Sequence, residues 1–277
     1  MSQEVIPNFE TLIALRAAGE GAFAYTPDPF TANAPAGAPH EGAGVHGGML
    51  ALSCYKAAQE HLGAAPPSLR TLSIQYLSAP KYEEIMLRPR VLRAGRNITF
   101  VAVEAEQGGK FLHSAGLTFG QHDGMAAHRP NNMPTVETPE DLRFEPRNPT
   151  IPRHAALIEQ KHTVGGTILG KGNEAVLRYW RRPSATAPLT AERLIFMMDA
   201  MAPPLHAVAD SWHPCVSADL RYDFVAPISL DLVPDGWALF EWRTRDWSGG
   251  WTIDDCSVWN REGRLLAIGR QQRKMLG

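Results

Sequence analysis

A chain of 277 residues, 44% hydrophobic and 20% charged, is long enough to bury a full core as one large domain or two small ones. Its formal net charge of −2, with no block of lysine and arginine, argues against nucleic acid and anionic membrane surfaces as partners. No stretch approaches the roughly 18 uninterrupted apolar residues that a membrane-spanning helix needs.

The cysteines Cys54, Cys215 and Cys256 lie far apart and form no C-x-x-C pair. The chain also lacks the H-E-x-x-H spacing of zinc hydrolases, so we expect no metal site and no cofactor. Residues 1–7 show no basic segment followed by an apolar one, which is the pattern of a secretory signal. These features predict reduced thiols and a cytoplasmic location.

The first half begins with a predicted short helix over residues 9–18 and a strand over 21–25, followed by a loop rich in Gly, Ala and Pro. His46-Gly47-Gly48 opens a second helix that runs through Ala58. Alternating or continuous apolar patterns then predict four strands, over residues 72–77, 85–91, 98–105 and 111–119.

Residues 122–153 differ from the rest, because they are rich in Pro, Asn, Glu and Arg and show little periodicity. They predict a linker or a connection that follows the surface. The earlier pattern then recurs as a strand at 175–180, an apolar helix before Pro203, and strands at 220–225, 237–243, 251–259 and 265–270. The tryptophans of these strands, at positions 237, 242, 247, 251 and 259, are predicted to be sheet core.

The two halves repeat each other in detail. Leu72-x-Ile74-x-Tyr76 corresponds to Leu220-x-Tyr222-x-Phe224, and Gly95 and Gly109 recur at the same spacing as Gly249 and Gly263. A duplication predicts two similar α+β units, each a mostly antiparallel sheet wrapped round one helix. We place the units at residues 1–121 and 154–277.

One carboxylate interrupts the apolar helix of the second half. Thr190 is a suitable N-cap, Pro203-Pro204 ends the segment, and Asp199 lies within Leu194-Ile195-Phe196-Met197-Met198-Asp199-Ala200-Met201. Desolvating a lone carboxylate is costly, so Asp199 must be paired, protonated or functional unless it lies on a solvent-facing side of the helix.

The order of these motifs resembles the TesB-like (thioesterase II) acyl-CoA thioesterases, which have a double-hotdog fold. The resemblance covers both halves and rests on His46-Gly47-Gly48-x-Leu50-Ala51, Leu72-Ser73-Ile74-Gln75-Tyr76-Leu77-x-x-Pro80, Arg93-Ala94-Gly95-Arg96, Asp199, Asp219-Leu220-x-Tyr222-x-Phe224 and Gly263-Arg264-Leu265-Leu266-Ala267-x-x-Arg270-Gln271. It implies an α+β double hotdog whose second unit carries the catalytic residues and whose first unit serves as scaffold and binding wall.

The family orients the hydrolytic water with an Asp, a Thr or Ser, and a Gln. By position these correspond to Asp199, Ser217 and Gln271, although the neighbouring Gln272 leaves the register open by one residue. In the first half Ser53 or Cys54 takes the place of Asp199, and Leu117 that of Gln271, so the resemblance implies one active site.

Four further residues are candidates for substrate binding. The free N–H groups at the start of the Gly47-Gly48 helix can hold an oxyanion, or the glycines can merely permit close packing. His46 can assist there, or be a capping or surface residue, which is the commoner case. Arg96 can meet the phosphates of coenzyme A, or be an exposed hairpin residue.

The expected activity is therefore cofactor-free hydrolysis of an acyl-CoA. Two alternatives stay open: a hotdog-fold enoyl-CoA hydratase or dehydratase, and a non-catalytic acyl-CoA binding protein. The former uses a D-x-N-P-x-H pattern, whereas here Asp199 is followed by Pro203-Pro204 and by His206 seven residues on. A homo-oligomer is expected, because hotdog sheets often pair edge to edge between chains.

Overall fold

The computed structural model describes residues 6–36, 38–63, 66–122, 128, 132–146 and 150–276. Within them the chain forms one antiparallel sheet of twelve strands: β1 (Arg16–Ala17), β2 (Phe23–Tyr25), β3 (Ser68–Tyr76), β4 (Ile85–Ala94), β5 (Ile98–Gln107), β6 (Lys110–Gly120), β7 (Ile158–His162), β8 (Val176–Pro183), β9 (Cys215–Phe224), β10 (Ala238–Ser248), β11 (Trp251–Trp259) and β12 (Leu265–Met275). The α-helices of the described part are α1 (Phe9–Leu12), α2 (Gly47–Leu62) and α3 (Ala191–Asp199). Short 3-10 segments cover Pro29–Thr31, Pro139–Asp141, Arg153–Leu157, Ser184–Thr186 and Pro204–Ala207.

The strand order is symmetrical about the pairing of β3 with β9. It runs β1-β2-β4-β5-β6-β3-β9-β12-β11-β10-β8-β7, so that each strand of the first half has its counterpart at the same distance from the centre. Leu72 of β3 lies opposite Tyr222 of β9. The duplication and the two-unit α+β architecture predicted from the sequence are confirmed.

The main core lies between this curved sheet and the two long helices. In α2 the residues from Gly48 to Tyr55 are all buried, because the helix packs on β3, β4, β5 and β6 on one side and on α3 on the other. Helix α3 buries Leu194 through Met198 in the same core. Burial on both sides explains why these helices read as apolar runs rather than as amphipathic ones.

The predicted first helix is shorter than expected, since α1 ends at Leu12 and the chain then forms the β1–β2 hairpin. The hairpin turn contains Gly19, Glu20 and Gly21, all with positive φ (82°, 50° and 72°). Such a turn fixes the pairing of Arg16–Ala17 with β2 and overrides the helix propensity of the alanines and leucine before it.

The described part of the Pro-rich connection lies on the outer face of the second half. Met133, Val136 and Leu142 pack on a cluster made of Trp180, Trp237, Leu239 and Trp259. The Trp180 indole N–H donates to the carbonyl of Glu137 at 2.8 Å. The connection is thus of the surface-following kind, and strand β7, which the sequence pattern did not indicate, follows it directly. The unit boundaries at residues 121 and 153 stay predictions.

The tryptophan prediction is partly wrong. Trp237, Trp242 and Trp259 are buried, whereas Trp247 and Trp251 are each 44% exposed at the end of the sheet where β10 turns into β11. Alternating apolar residues identify a strand but not how far it extends past the core.

His113 on β6 predicts a loss of stability in mild acid. Its side chain is fully buried, neither ring nitrogen has a hydrogen-bond partner, and burial lowers its pKa to about 4. The unfolded chain takes up a proton near the ordinary pKa of about 6.5, so this residue favours unfolding increasingly as the pH falls below that value. By pH 5 the cost reaches about 2 kcal/mol.

We therefore expect His113→Leu to reduce the fall in Tm between pH 7 and pH 5 by roughly 4 °C relative to the wild type. Circular dichroism melts at the two pH values measure this. His61→Leu is the matched control, because His61 is exposed on α2 and should leave the fall unchanged. An equal fall in Tm for His113→Leu and the wild type would rule out this origin of the acid sensitivity.

Candidate active site

Asp199 is the last residue of α3, not a residue midway along the helix as predicted. The Thr190 hydroxyl accepts from Arg193 N–H at 3.3 Å and starts the helix. The helix ends before Pro203-Pro204, which have no N–H to continue it, and the buried guanidinium of Arg181 donates instead to the carbonyl of Ala200 at 2.8 Å. The Asp199 side chain is 7% exposed and points away from bulk solvent.

The carboxylate of Asp199 meets the beginning of α2. Gly48 N–H donates to Asp199 Oδ2 at 2.7 Å, where the helix dipole favours negative charge. A Cβ atom on Gly48 would lie 3.0 Å from the Asp199 Cβ and 2.7 Å from the His46 ring, so only glycine allows this approach. The Tyr76 hydroxyl donates to the Gly47 carbonyl at 2.9 Å and holds the start of α2 against β3.

For Gly48 the expectation of a free oxyanion-binding N–H is thereby corrected, whereas for Gly47 it stays a prediction. The N–H of Gly48 is taken by Asp199, because the carboxylate is the anion that this helix start binds. What the helix contributes to the site is the placement of Asp199 and its positive end.

Gln271 joins Asp199 to Ser217. Its side-chain Nε2 donates to Asp199 Oδ1 at 3.1 Å and to Ser217 Oγ at 2.5 Å. Gln271 is 5% exposed on the inner face of β12, while Gln272 is exposed on the outer face. The register left open by the sequence is thus resolved in favour of Gln271.

A β-bulge turns Ser217 toward the inner face. Gln272 pairs with Asp219 but Arg273 pairs with Ser217, so Ala218 is an extra residue in β9. Without it Ser217 would share the outer face with Asp219, since residues two apart in a strand point the same way. Bulges that redirect a side chain are common beside active sites.

His46 is the N-cap residue of α2, but it is buried beside Asp199, so its interpretation as a surface residue is wrong. It is 3% exposed, its side chain makes no capping hydrogen bond, and Nε2 lies 3.4 Å from Asp199 Oδ2. Its ring lies 4.4 Å from that of His154, centroid to centroid, and His154 Nε2 is 3.2 Å from Asn33 Oδ1. Burial lowers the pKa of both histidines, which keeps them neutral around pH 7.

His154 was not identified from the sequence because it lies just after the Pro-rich connection, far in sequence from every other site residue.

Arg273 and Asp254 were also missed. They form a buried ion pair next to Gln271, and the Arg273 guanidinium donates to Gln271 Oε1. Arg273 could have been found from the sequence, because it lies two residues after Gln271 on the same strand and both side chains therefore project from one face.

Arg96 is not brought to this cluster. It lies exposed in the turn between β4 and β5, at the end of the sheet where β3 begins, while Ser217 lies at the end where β3 finishes. Nine residues of strand β3 separate the two ends, roughly 26 Å at 3.3 Å per residue.

A narrow cleft beside Gln271 has room for about 10 Å³, roughly the space of one water molecule. Its apolar wall consists of Met198, Leu220, Tyr222, Trp242 and Cys256, with Gly269 between them. The cleft and the polar cluster are contiguous, because Gln271 contributes to both.

Comparison with protein families follows the same division of the chain. A family described as the acyl-CoA thioesterase N-terminal domain matches residues 34–120, and its C-terminal counterpart matches residues 130–273. The chain belongs to the acyl-CoA thioesterase family. An uncharacterised protein of Mycobacterium tuberculosis strain H37Rv is 26% identical over 255 residues, which cover 82% of this chain and 84% of that protein.

Solved structures show that this thioesterase-family chain has the hotdog fold. A hotdog protein of unknown function from Alicyclobacillus acidocaldarius aligns with a TM-score of 0.88 at 20% identity over 99% of both chains. The acyl-CoA thioesterase II TesB2 of Mycobacterium marinum aligns with a TM-score of 0.74 at 17% identity, over 96% of this chain and 97% of that one. The double-hotdog prediction is confirmed.

Within the described residues, the position of Gln271 has an apolar counterpart in the first half of the thioesterase fold. Gln271 lies opposite Leu220 on the neighbouring strand, and Leu117 lies opposite Leu72 in the same way. Leu117 is therefore the counterpart of Gln271, as the sequence predicted, and it cannot hydrogen-bond. Across the described residues, no helix is both long enough and apolar enough to cross a membrane.

Proposed function

We propose that this protein hydrolyses an acyl-CoA thioester to the free acid and CoA, with a water held by Asp199, Ser217 and Gln271. The observation that carries the proposal is the connected set of contacts from Gly48 N–H through both oxygens of Asp199 to Gln271 and Ser217. A carboxylate held on both oxygens, and nearly excluded from solvent, is suited to act as a general base.

The direction of each hydrogen bond determines whether a group can still donate to a water molecule or accept from it. Each Asp199 oxygen accepts one hydrogen bond from the protein and has a further lone pair for a water proton. Ser217 Oγ accepts from Gln271, so its own hydrogen is left to donate. A water that donates to Asp199 and accepts from Ser217 has its remaining lone pair directed at the substrate.

All bonds and protons of the proposed reaction are accounted for without a cofactor. The water oxygen forms a bond to the thioester carbonyl carbon as its proton passes to Asp199. The carbon–sulfur bond breaks in the collapse of the tetrahedral intermediate, and Asp199 returns the proton to the leaving thiolate. The positive end of α2 stabilises the Asp199 carboxylate before it takes up this proton.

The cleft beside Gln271 is too small for an acyl chain, so the acyl group lies outside it in this proposal. Its wall of Met198, Tyr222 and Trp242 is apolar. A Cβ atom on Gly269 would lie 2.7 Å from the Tyr222 ring, so glycine keeps that wall in place. Arg96 is not part of the proposed CoA site, because the fold places it at the far end of the sheet.

A hydratase or dehydratase activity is less well supported. The only histidine that follows Asp199 closely is His206, whose Nε2 accepts from His213 N–H at 3.0 Å and whose Nδ1 lies 3.1 Å from the Pro203 carbonyl oxygen. Both ring nitrogens are thus engaged away from Asp199.

The test is release of CoA thiol from saturated acyl-CoAs of increasing chain length, with the free acid quantified in parallel. We expect equimolar thiol and acid from at least one chain length. Loss of the enoyl absorbance of an enoyl-CoA without thiol release would establish the hydratase instead. Binding of acyl-CoA with no product in either assay would establish a binding protein.

A further inference from the structure

Gln271 can orient a water only if its amide group faces the right way. The side chain ends in an acceptor oxygen and a donor NH2 of nearly equal size, and a rotation of 180° exchanges them. With the amide reversed, its oxygen would face the Asp199 carboxylate and two acceptors would oppose each other. The Asp199 carboxylate thus already favours one direction of the amide, and a donor to Oε1 from outside the proposed triad fixes that direction further.

Arg273 provides that constraint. Its guanidinium donates to Gln271 Oε1, and because a guanidinium has no acceptor it can tolerate only the oxygen of the amide on that side. The two residues are two apart on β12 and therefore project from the same face of the strand.

Arg273 is itself fixed by Asp254. The two side chains are 7% and 3% exposed and form a charged hydrogen bond. Asp254 also accepts from the Thr244 hydroxyl at 2.6 Å and from the Thr252 hydroxyl at 3.2 Å. A buried ion pair contributes little net stability, because removing its two charges from water is costly. We therefore expect this pair to have another role.

The first half supports a role tied to Gln271. There the same inner positions pair Val101 with Leu117 and Thr99 with Phe119. In the second half these pairs become Asp254 with Gln271 and Thr252 with Arg273. The acid and the arginine thus occur only in the half that has the glutamine, and apolar side chains suffice in the other.

We propose that Arg273, held by Asp254, is a positioning residue that sets the direction of the Gln271 amide and, through it, of the Ser217 hydroxyl. The chain of donors runs from Arg273 to Gln271 Oε1, then from Gln271 Nε2 to Asp199 Oδ1 and Ser217 Oγ. Ser217 is left as a donor toward the reacting water. This inference rests on the proposed hydrolase function. It adds the residue that determines which groups of the site donate hydrogen bonds and which accept them.

The kinetic test is a double-mutant cycle between Arg273→Met and Gln271→Leu. In the wild-type background, we expect Arg273→Met to lower kcat about ten-fold or more with KM changed by less than about three-fold. In the Gln271→Leu background, the same change should lower kcat by less than about two-fold, because there is no amide left to direct. A similar fall of kcat in both backgrounds would overturn the proposal and assign Arg273 a packing role.

Two further variants separate positioning from stability. Arg273→Met with Asp254→Leu removes the whole buried pair, so that no unpaired charge destabilises the fold, and we expect the kcat of the single variant. Arg270→Met removes an exposed ion pair with Asp255 on the other face of the same strand and should leave kcat unchanged. Wild-type kcat in the Arg273/Asp254 double variant would also overturn the proposal.

A second readout does not depend on turnover. In protein labelled with ¹⁵N-glutamine, the side-chain NH2 signal of Gln271 is assigned by its loss in Gln271→Leu. We expect slow hydrogen exchange of this NH2 in the wild type and fast exchange in the Arg273/Asp254 double variant. Unchanged exchange would refute the positioning role even if wild-type hydrolysis is absent, and absent hydrolysis alone would refute only the proposed function.

Discussion

Replacing Asp199 by asparagine is expected to lower kcat for acyl-CoA hydrolysis about 10³-fold, the middle of the range for loss of a general base. The asparagine cannot accept the water proton. It also has only one oxygen, so its NH2 group must face either Gly48 N–H or the Gln271 NH2, both of which now donate to the carboxylate. Steady-state thiol release, with circular dichroism to verify folding, measures the effect.

The matched control for this prediction is Asp219→Asn. Asp219 is a partly buried carboxylate on β9, two residues from Ser217, but it pairs with Gln75 on the outer face of the sheet. The control should keep kcat within about two-fold, as surface changes away from a site usually do. Retention of more than a tenth of the wild-type kcat by folded Asp199→Asn would remove Asp199 from the role of base.

Gln271→Leu gives the second half the residue that Leu117 supplies in the first. We expect kcat to fall about 10²-fold, as for the loss of one preorganised donor. The leucine fills a similar volume, so folding should persist, but Asp199 Oδ1 and Ser217 Oγ both lose their common partner. The kcat and KM for the best substrate, measured separately, test this, since the loss should lie mainly in kcat.

Here the adjacent residue serves as the control. Gln272→Leu makes the identical substitution one position further along β12, on the exposed face, and should leave kcat unchanged. If Gln272→Leu were the more damaging of the two, the register of β12 at the site would be wrong.

The fold could be predicted from the sequence because its signals are local and occur twice. Apolar alternation located the strands, the matching segments around Leu72 and Leu220 indicated the duplication, and the order of motifs identified the family. The exact ends of the elements were harder to predict. The β1–β2 hairpin, for example, replaced a predicted helix end because of the turn at Gly19–Gly21.

The site was predicted in its residue types more than in its geometry. Asp199 was identifiable as a carboxylate in an apolar run, and Gln271 by its place on the last strand. The inward turn of Ser217 depends on a bulge at Ala218, which no sequence pattern marks. The contact of Asp199 with Gly48 joins residues 151 positions apart, so the occupied helix start could not be foreseen.

The buried ion pair beside Gln271 could not be predicted from the sequence for a related reason. Arg273 and Asp254 read as ordinary strand residues until the register of β11 with β12 places them on the inner face beside Gln271. The predictions of a cytoplasmic location and a homo-oligomer rest on the sequence alone.

The most direct measurement is a single turnover of an acyl-CoA by excess enzyme in H₂¹⁸O. Attack by a water that Asp199 deprotonates places one ¹⁸O atom in the released acid during the first turnover and none in the protein. Mass spectrometry of the acid and of the peptide containing Asp199 reads both. Unlabelled acid in that first turnover, with ¹⁸O found in the Asp199 carboxylate afterwards, would contradict water attack and make Asp199 a nucleophile.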